Sequence, residues 1–489
     1  MQIPSLLAYF RAAIVLTLLP STATSFPHQE PRPFHWLEAR DSEQLPTRQA
    51  PLPSLVIDTF QDSLHNDLGF WHGAGENLTV HHEPGFMRLS PNDPDQNFHT
   101  QFDTRGCFSL LPWKNQFLHV VFDGTDQFTV SLNEHNAECF PSRSPFPGVP
   151  DSIQASRYVM RTKPEWFDAD ESEMDESEMD ESEERRPRAR SLQFKRPSSM
   201  GSCGDDDDDQ APASPTRTEL FIPLSHFHIN HGRVVSVSFT GFYTNESITL
   251  RRVEIVPSTP PPTSKNNHFK IPEKLPSGHM ILRCSVPNSF AFGIDDGQPQ
   301  YAQEVMKILD EEDVRVTFFV VGAGLRDQTT NFTHFYREML KKGHQVALHS
   351  NTHPKMEALP TTEKIDEEIM QTIRVFQDRL DLTSRYFRPP FGTVGARMRQ
   401  RLAKHIESPF IVNWSVDVED WLWANTSTPE KQLDAFYRGV ARGGNLAVMH
   451  FLNPTTVAYL RRFIRHVKSV GFKIMRIDQC LGDPFSPAL

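Results

Sequence analysis

Two patterns of apolar and polar positions divide this chain. In its first half, apolar residues recur at every second position over short runs. Phe128, Val130 and Leu132 alternate with Thr129, Ser131 and Asn133, and Val235, Val237 and Phe239 alternate with Ser236, Ser238 and Thr240. A period of two sends one set of side chains to each face of a strand. With turn residues between the runs, it predicts an antiparallel β-sandwich. Further strands are predicted at 86–89, 117–122, 219–224 and 248–256. After residue 278, short continuous apolar runs take over, at 289–294, 314–321, 345–348, 410–416, 446–449 and 472–474. Helical patterns fall between them. One covers 301–309 and another 362–380, where Ile365, Ile369, Ile373 and Phe376 stand near helical spacing. Alternation of buried strands with helices predicts a parallel α/β sheet or barrel.

A chain of 489 residues exceeds one ordinary core, so several domains are expected. Residues 1–25 read as a secretory signal peptide. Arg11 closes a weakly basic start, 12–19 form a short apolar core, and Ala23 and Ser25 supply small residues for cleavage. The apolar run is far below the ~20 residues of a membrane span, and no hydrophobic tail signals a lipid anchor. Residues 26–50 are Pro- and Gln-rich and expected to be disordered. Residues 51–256 are assigned to the sandwich, whose strand pattern resembles a galactose-binding-like jelly roll. Residues 257–277 form a Pro-rich linker, and 278–489 the second domain. The sandwich is interrupted at 163–217, where Glu-Ser-Glu-Met-Asp occurs twice and Asp205 to Asp209 form an unbroken acidic run. That insert holds 17 acidic and 8 basic residues, a net of −9 against −12 for the whole chain. It is too polar to fold, and its removal leaves a near-neutral protein. No folded part is basic enough for nucleic acid.

Five Asn-x-Ser/Thr sequons begin at Asn77, Asn245, Asn331, Asn413 and Asn425. Asn413 lies within the predicted strand 410–416 and is expected to stay bare. Of five Cys, Cys107 and Cys139 share one strand-rich region and are candidates for a pair. Cys284 and Cys480, near the two ends of the second domain, are candidates for another, and Cys203 is left over.

The polar residues that follow the apolar runs carry the chemistry. Asp295-Asp296 ends the first run. His349 and His353 bracket Ser350-Asn351-Thr352. Arg388-Pro389-Pro390-Phe391-Gly392 comes next, then Asp417-Val418-Glu419-Asp420-Trp421, then His450 after Leu446-Ala447-Val448-Met449. The carboxyl ends of parallel strands are where α/β barrels build active sites. One carboxylate and two imidazoles suit a divalent metal with open positions, and a further carboxylate and His remain for proton transfer.

In these five ordered motifs, residues 278–489 resemble the polysaccharide deacetylases, the NodB homology domain of carbohydrate esterase family 4. Secreted fungal chitin deacetylases look most similar. Ala291-Phe292-Gly293-Ile294-Asp295-Asp296-Gly297 stands for Thr-Phe-Asp-Asp-Gly, His349 to Pro354 for His-Ser/Thr-x-x-His, and Arg388 to Gly392 for Arg-Pro-Pro-Tyr/Phe-Gly. Asp417 to Trp421 stands for Asp-x-x-Asp-Trp, and Leu446 to His450 for the closing Leu-x-His. The resemblance implies a distorted (β/α) barrel with fewer than eight full units. Asp296, His349 and His353 would hold the metal, usually Zn2+. Asp295 would be the general base and Arg388 its ion-pair partner. The Phe391 backbone N–H would stabilise the oxyanion. His450 would be the general acid, oriented by Asp420, with Asp417 the second choice. Trp421 is a candidate sugar-stacking platform.

The departures are Gly293-Ile294 for Thr-Phe, Phe391 for the commoner Tyr, and Phe451 where a polar residue often follows the His. None removes a ligand, base or acid, though Gly293 is expected to reshape the pocket floor. The function expected is a secreted, metal-dependent deacetylase acting on an acetylated aminosugar polymer. The alternatives are an O-acetyl esterase on xylan, or a glycan-binding protein whose barrel turns over poorly.

Overall fold

A computed structural model describes residues 52–103, 106–145, 148, 150–160, 217–260 and 269–487. The expected signal peptide, the 26–50 segment, Cys203 and the insert up to residue 216 lie outside the described residues. So does 261–268 of the linker.

The alternating runs form two antiparallel sheets facing one core. Seven strands make the first, in the order Thr79–Glu83, Phe86–Ser90, Ile248–Val256, Phe117–Gly124, Thr218–Pro223 and Val159–Met160, with Leu55–Asp58 on the same edge of Ile248–Val256 as Phe86–Ser90, further along it. Five make the second, in the order His72–Gly75, Asn97–Gln101, Val234–Thr240, Thr129–Glu134 and Pro150–Gln154. Phe98, Phe122, Phe128, Val130, Leu132, Val237 and Phe239 fill the space between them and are fully buried. Cys107 and Cys139 are disulfide-bonded.

The second half builds a sheet in which every pairing is parallel. Its order is His279–Ile281, Phe410–Val412, Tyr386–Phe387, Gln345–Leu348, Thr317–Val320, Ser289–Asp295, Leu446–His450 and Val416–Asp417, with Lys473–Met475 also on Ser289–Asp295. The strand Ser289–Asp295 is buried along its whole length, as a central parallel strand must be. Helices Ala302–Glu311, Phe332–Lys341, Thr362–Leu380, Ala396–His405, Lys431–Ala441 and Pro454–Ser469 cover it. The helix Thr362–Leu380 buries Ile365, Ile369 and Phe376, as the spacing predicts. Thr361 caps its start by accepting from the Lys364 N–H, and Asp381 ends it with a φ of 52°.

The predicted strand 410–416 is corrected to two short strands broken at 413–415. The reason is topological. Phe410–Val412 pairs with Tyr386–Phe387, whereas Val416–Asp417 pairs with Leu446–His450, close to the opposite end of the sheet order. Three linking residues span only about 10 Å. The sheet therefore curls until its two ends nearly meet, and 413–415 bridges the gap. Cys284 and Cys480 are disulfide-bonded below this sheet, joining segments 196 residues apart.

Candidate active site

Each motif residue stands at or just beyond the carboxyl end of a parallel strand, and the curl of the sheet points several of them at one spot. Asp295 closes Ser289–Asp295 and His450 closes Leu446–His450, and the two are register neighbours on adjacent strands. Asp296 follows with a φ of 57°. His349 follows Gln345–Leu348, and His353 comes four residues later with a φ of 64°. Left-handed backbone costs a non-glycine residue about 1–3 kcal/mol and persists only where its surroundings hold it. Ser350, Phe391 and Glu419 share the feature, with φ of 59°, 61° and 54°. Sequence patterns carry no signal for such strain.

Asp296, His349 and His353 offer three ligand atoms within 4.8 Å of one another. The Asp296 Oδ1 lies 3.7 Å from His349 Nε2 and 3.6 Å from His353 Nε2. Bonds of 2.0–2.2 Å to a tetrahedral Zn2+ would set such donors about 3.4 Å apart, so the set fits that ion. His349 Nδ1 is 2.7 Å from the Arg388 carbonyl oxygen. A carbonyl only accepts, so the proton is on Nδ1, and Nε2 keeps its lone pair toward Asp296. Burial holds the buried His349 imidazole neutral, pushing its pKa down to about 3. Burial also lowers that of His353, against the pull of Asp296.

Asp295 is buried, with Oδ1 2.6 Å from Arg388 Nη1. Burial pushes its carboxyl up to about 7, against the lowering effect of Arg388 and His450. Arg388 is fully buried. Its Nε donates to the Val412 carbonyl at 3.0 Å and its Nη2 to the Asn413 carbonyl at 3.3 Å. These carbonyls lie where the sheet breaks, so one guanidinium both closes the seam and orients Asp295. Its carbon lies 4.1 Å from the centre of the Phe319 ring. Gly293 makes this possible, since a Cβ there would stand 2.4 Å from both Nη atoms. The expectation that Gly293 reshapes a pocket floor is thus corrected: its missing side chain is filled by Arg388.

Asp420, not Asp417, is the partner of His450. Its Oδ1 is 2.8 Å from His450 Nδ1, and its Oδ2 accepts from the His450 backbone N–H at 2.6 Å. Burial opposes the charged imidazole. Asp420, Asp295 and Asp296 outweigh it and push the His450 pKa up to about 10. Asp417 instead accepts from the Glu419 N–H, and burial raises its carboxyl to about 6. Phe391 is 46% exposed, its ring edge-on to His353 at 4.8 Å, and Trp421 is 42% exposed. Both therefore face solvent at the rim. Phe451 is buried and packs on Gly297, where a Cβ would meet its ring at 2.0 Å. Asn413 donates through Nδ2 to the Gly392 carbonyl at 2.9 Å, a role its sequon did not suggest.

Several supporting residues had no sequence signal. Glu368, on Thr362–Leu380, accepts from the Asn351 and Thr352 N–H groups at 2.8 Å each and from the Thr352 hydroxyl at 2.6 Å. Tyr336 donates to the Asp296 carbonyl at 3.1 Å. Neither lies in a motif, because each acts across the fold on backbone atoms.

Residues 284–406 match the family model for polysaccharide deacetylase. A peptidoglycan-N-acetylglucosamine deacetylase of Listeria monocytogenes is 28% identical over 215 residues, covering 44% of this chain and 42% of that protein. A chitin deacetylase of Pestalotiopsis sp is 28% identical over 210 residues, covering 43% of this chain and 69% of that protein. The solved chitin deacetylase of Colletotrichum lindemuthianum shares 23% identity at a TM-score of 0.39, covering 43% of this chain and 95% of that one. The chain thus spans less than half the length of the first of these relatives. The matched segment, residues 284–406, is thus a polysaccharide deacetylase segment, of the NodB homology domain of carbohydrate esterase family 4.

Proposed function

We propose that this protein is a secreted, metal-dependent deacetylase that hydrolyses N-acetyl groups of an aminosugar polymer such as chitin, releasing acetate. The observation that carries this is the triad of Asp296, His349 and His353 beside an Arg-paired Asp295 and an Asp-paired His450. The named activities of the relatives agree with it. Secretion is supported by the two disulfides, which persist in oxidising compartments. In this reading residues 278–489 are the catalytic domain, a distorted (β/α) barrel, and residues 51–256 a jelly roll.

Asp296, His349 and His353 would hold the cation, most simply Zn2+, which acidifies water and polarises a carbonyl. Asp295 takes the proton of the attacking water, kept in line by Arg388. The water oxygen bonds to the acetamide carbon, and the Phe391 N–H donates to the oxygen that gains charge. The C–N bond then breaks as His450 gives its proton to the leaving nitrogen, yielding a free amine and acetate. Asp420 holds the imidazole in the tautomer and orientation that this requires.

The test is acetate release from chitin oligomers, an N-acetylgalactosamine polymer and acetylated xylan, with and without added zinc. Zinc-dependent release from an aminosugar substrate, lost in Asp295→Asn, is expected. Release from xylan alone would make the protein an O-acetyl esterase. No release from any of them with zinc bound would favour glycan binding without turnover.

A further inference from the structure

A short loop of the sandwich, residues 91–96, reaches the rim of the active site. That loop is braced from within. Asp95 N donates to Asp93 Oδ1 at 2.9 Å, Asn92 N donates to Gln96 Oε1 at 2.7 Å, and Asn97 Nδ2 donates to the Asp95 carbonyl at 3.0 Å. The Pro94 carbonyl accepts from Gly241 N at 3.1 Å, tying the loop to the end of Val234–Thr240. At Gly241, φ +55°, a Cβ would lie 3.3 Å from the Gly395 Cα, so the two domains meet backbone to backbone here. Thr129 reinforces the seam by accepting from the Ala396 N–H at 3.1 Å.

The two oxygens of Asp95 engage different active-site loops. Oδ1 accepts from the Thr393 hydroxyl at 2.5 Å. Oδ2 pairs with Lys355 Nζ at 2.7 Å, and Asp93 grips the same ammonium at 2.7 and 2.8 Å. Lys355 is two residues past His353, with the stiff Pro354 between, and Thr393 is two residues past Phe391. Both His353 and Phe391 hold left-handed backbone, which their own sequence does not favour. Lys355 Nζ also stands 5.7 Å from the Phe391 ring centre.

We propose that Asp95, assisted by Asp93, is a positioning residue of the active site, and that the N-terminal sandwich is a working part of the catalytic centre. Its carboxylate fixes the spacing between the loop that carries the ligand His353 and the loop that carries the Phe391 N–H. The inference rests on the deacetylase reading for the roles of His353 and Phe391. Its test is therefore made without substrate.

The probe is cobalt(II) bound to the metal-stripped, full-length protein, followed by its visible absorption and by competition with a chelator. Asp95→Ala is expected to weaken cobalt affinity by about 10–100-fold, the range seen when supports of ligands are removed, and to change the absorption bands. Lys355→Met and Thr393→Val make the same cut from the catalytic side and guard against a misfolded sandwich. Each should reproduce part of the loss, and Asp95→Glu should restore part of it. Lys274→Met is the control. It breaks the ion pair with Asp151, elsewhere in the same interface, and should lower the melting temperature while leaving the cobalt spectrum unchanged. If Asp95→Ala behaves like that control, with unchanged affinity and spectrum, the proposal is overturned. Failure of the unaltered chain to bind cobalt would overturn the metal reading, and this inference with it. Cobalt binding without deacetylation of any polymer would overturn the substrate assignment and leave Asp95 in its role.

Discussion

In the proposed reaction Asp295 and His450 are neighbours with opposite tasks, and their environments separate them. A base must be ionised and an acid protonated. With Asp295 near 7 and His450 near 10, both conditions hold between those values. We predict a bell-shaped kcat/KM against pH. Activity is lost on the acid side as Asp295 is protonated, and on the alkaline side as His450 loses its proton. A bound dication stabilises the Asp295 carboxylate, so the acid limb should lie at or below 7. Asp420→Asn removes the main charge that raises His450, so the alkaline limb should move down by more than one pH unit. An unmoved limb would assign it to another group. At the same scale, Gly293→Ala puts a Cβ 2.4 Å from the guanidinium of a fully buried Arg388. The strand and the sheet seam leave Arg388 no slack, so its pair with Asp295 should break. A fall in kcat/KM of about 100-fold is expected from misplacing such a group, with KM nearly unchanged. The chain's departure from Thr at this position is thus coupled to the Arg388 side chain, a contact 95 residues away in sequence that no local pattern reveals.

The helix Thr362–Leu380 illustrates how an element serves the site. Its apolar face was legible from the spacing of Ile365, Ile369 and Phe376. Its functional contribution sits on another face. Glu368 there holds the backbone of Asn351 and Thr352, between His349 and His353. We predict that Glu368→Ala leaves the helix intact, since Ala is a strong helix former, yet frees two N–H groups and loosens the His349–His353 loop. Zinc affinity should fall by about tenfold, read by chelator competition, while circular dichroism stays unchanged. Unchanged affinity would show that Ser350, which accepts from the His353 N–H at 3.0 Å, suffices to hold the turn. The split of 410–416 into two strands belongs to this scale as well. A continuous apolar run looks like one strand. Only the curl of the sheet makes the middle residues cross a gap, where Arg388 receives their carbonyls.

For the molecule as a whole, two covalent ties bear on stability in different ways. The Cys284–Cys480 bridge closes a loop of 196 residues around the deacetylase domain. In the chain-entropy model, closing such a loop contributes about 5 kcal/mol by restricting the unfolded state. Replacing both cysteines by serine should lower the denaturation midpoint markedly. It should leave cobalt or zinc binding unchanged, because the bridge lies at the far end of the strands from Asp296, His349 and His353. A loss of metal binding in the folded variant would show that the bridge also shapes the site. The domain seam matters too. Arg399 is buried between Pro150, Asp151 and the backbone of Ser277 and Gly278. The sandwich and the deacetylase domain therefore share buried charge. Among the described residues no helix is long and apolar enough to cross a membrane.

Sequence alone determined the two fold classes, because period-two alternation and continuous buried runs are properties of neighbouring residues. It also marked the motif residues, because the side chains that suit metal ligation and proton transfer stand out where they follow apolar runs. Tertiary structure alone decided what surrounds them. It set Asp420, the partner already put first for His450, 2.8 Å from that imidazole, filled the space above Gly293 with Arg388, and brought Asp95 to the rim. The physical reason is common to all three. Each depends on a distance between residues far apart in sequence, and such distances are set by how sheets curl and domains pack, which no local pattern encodes.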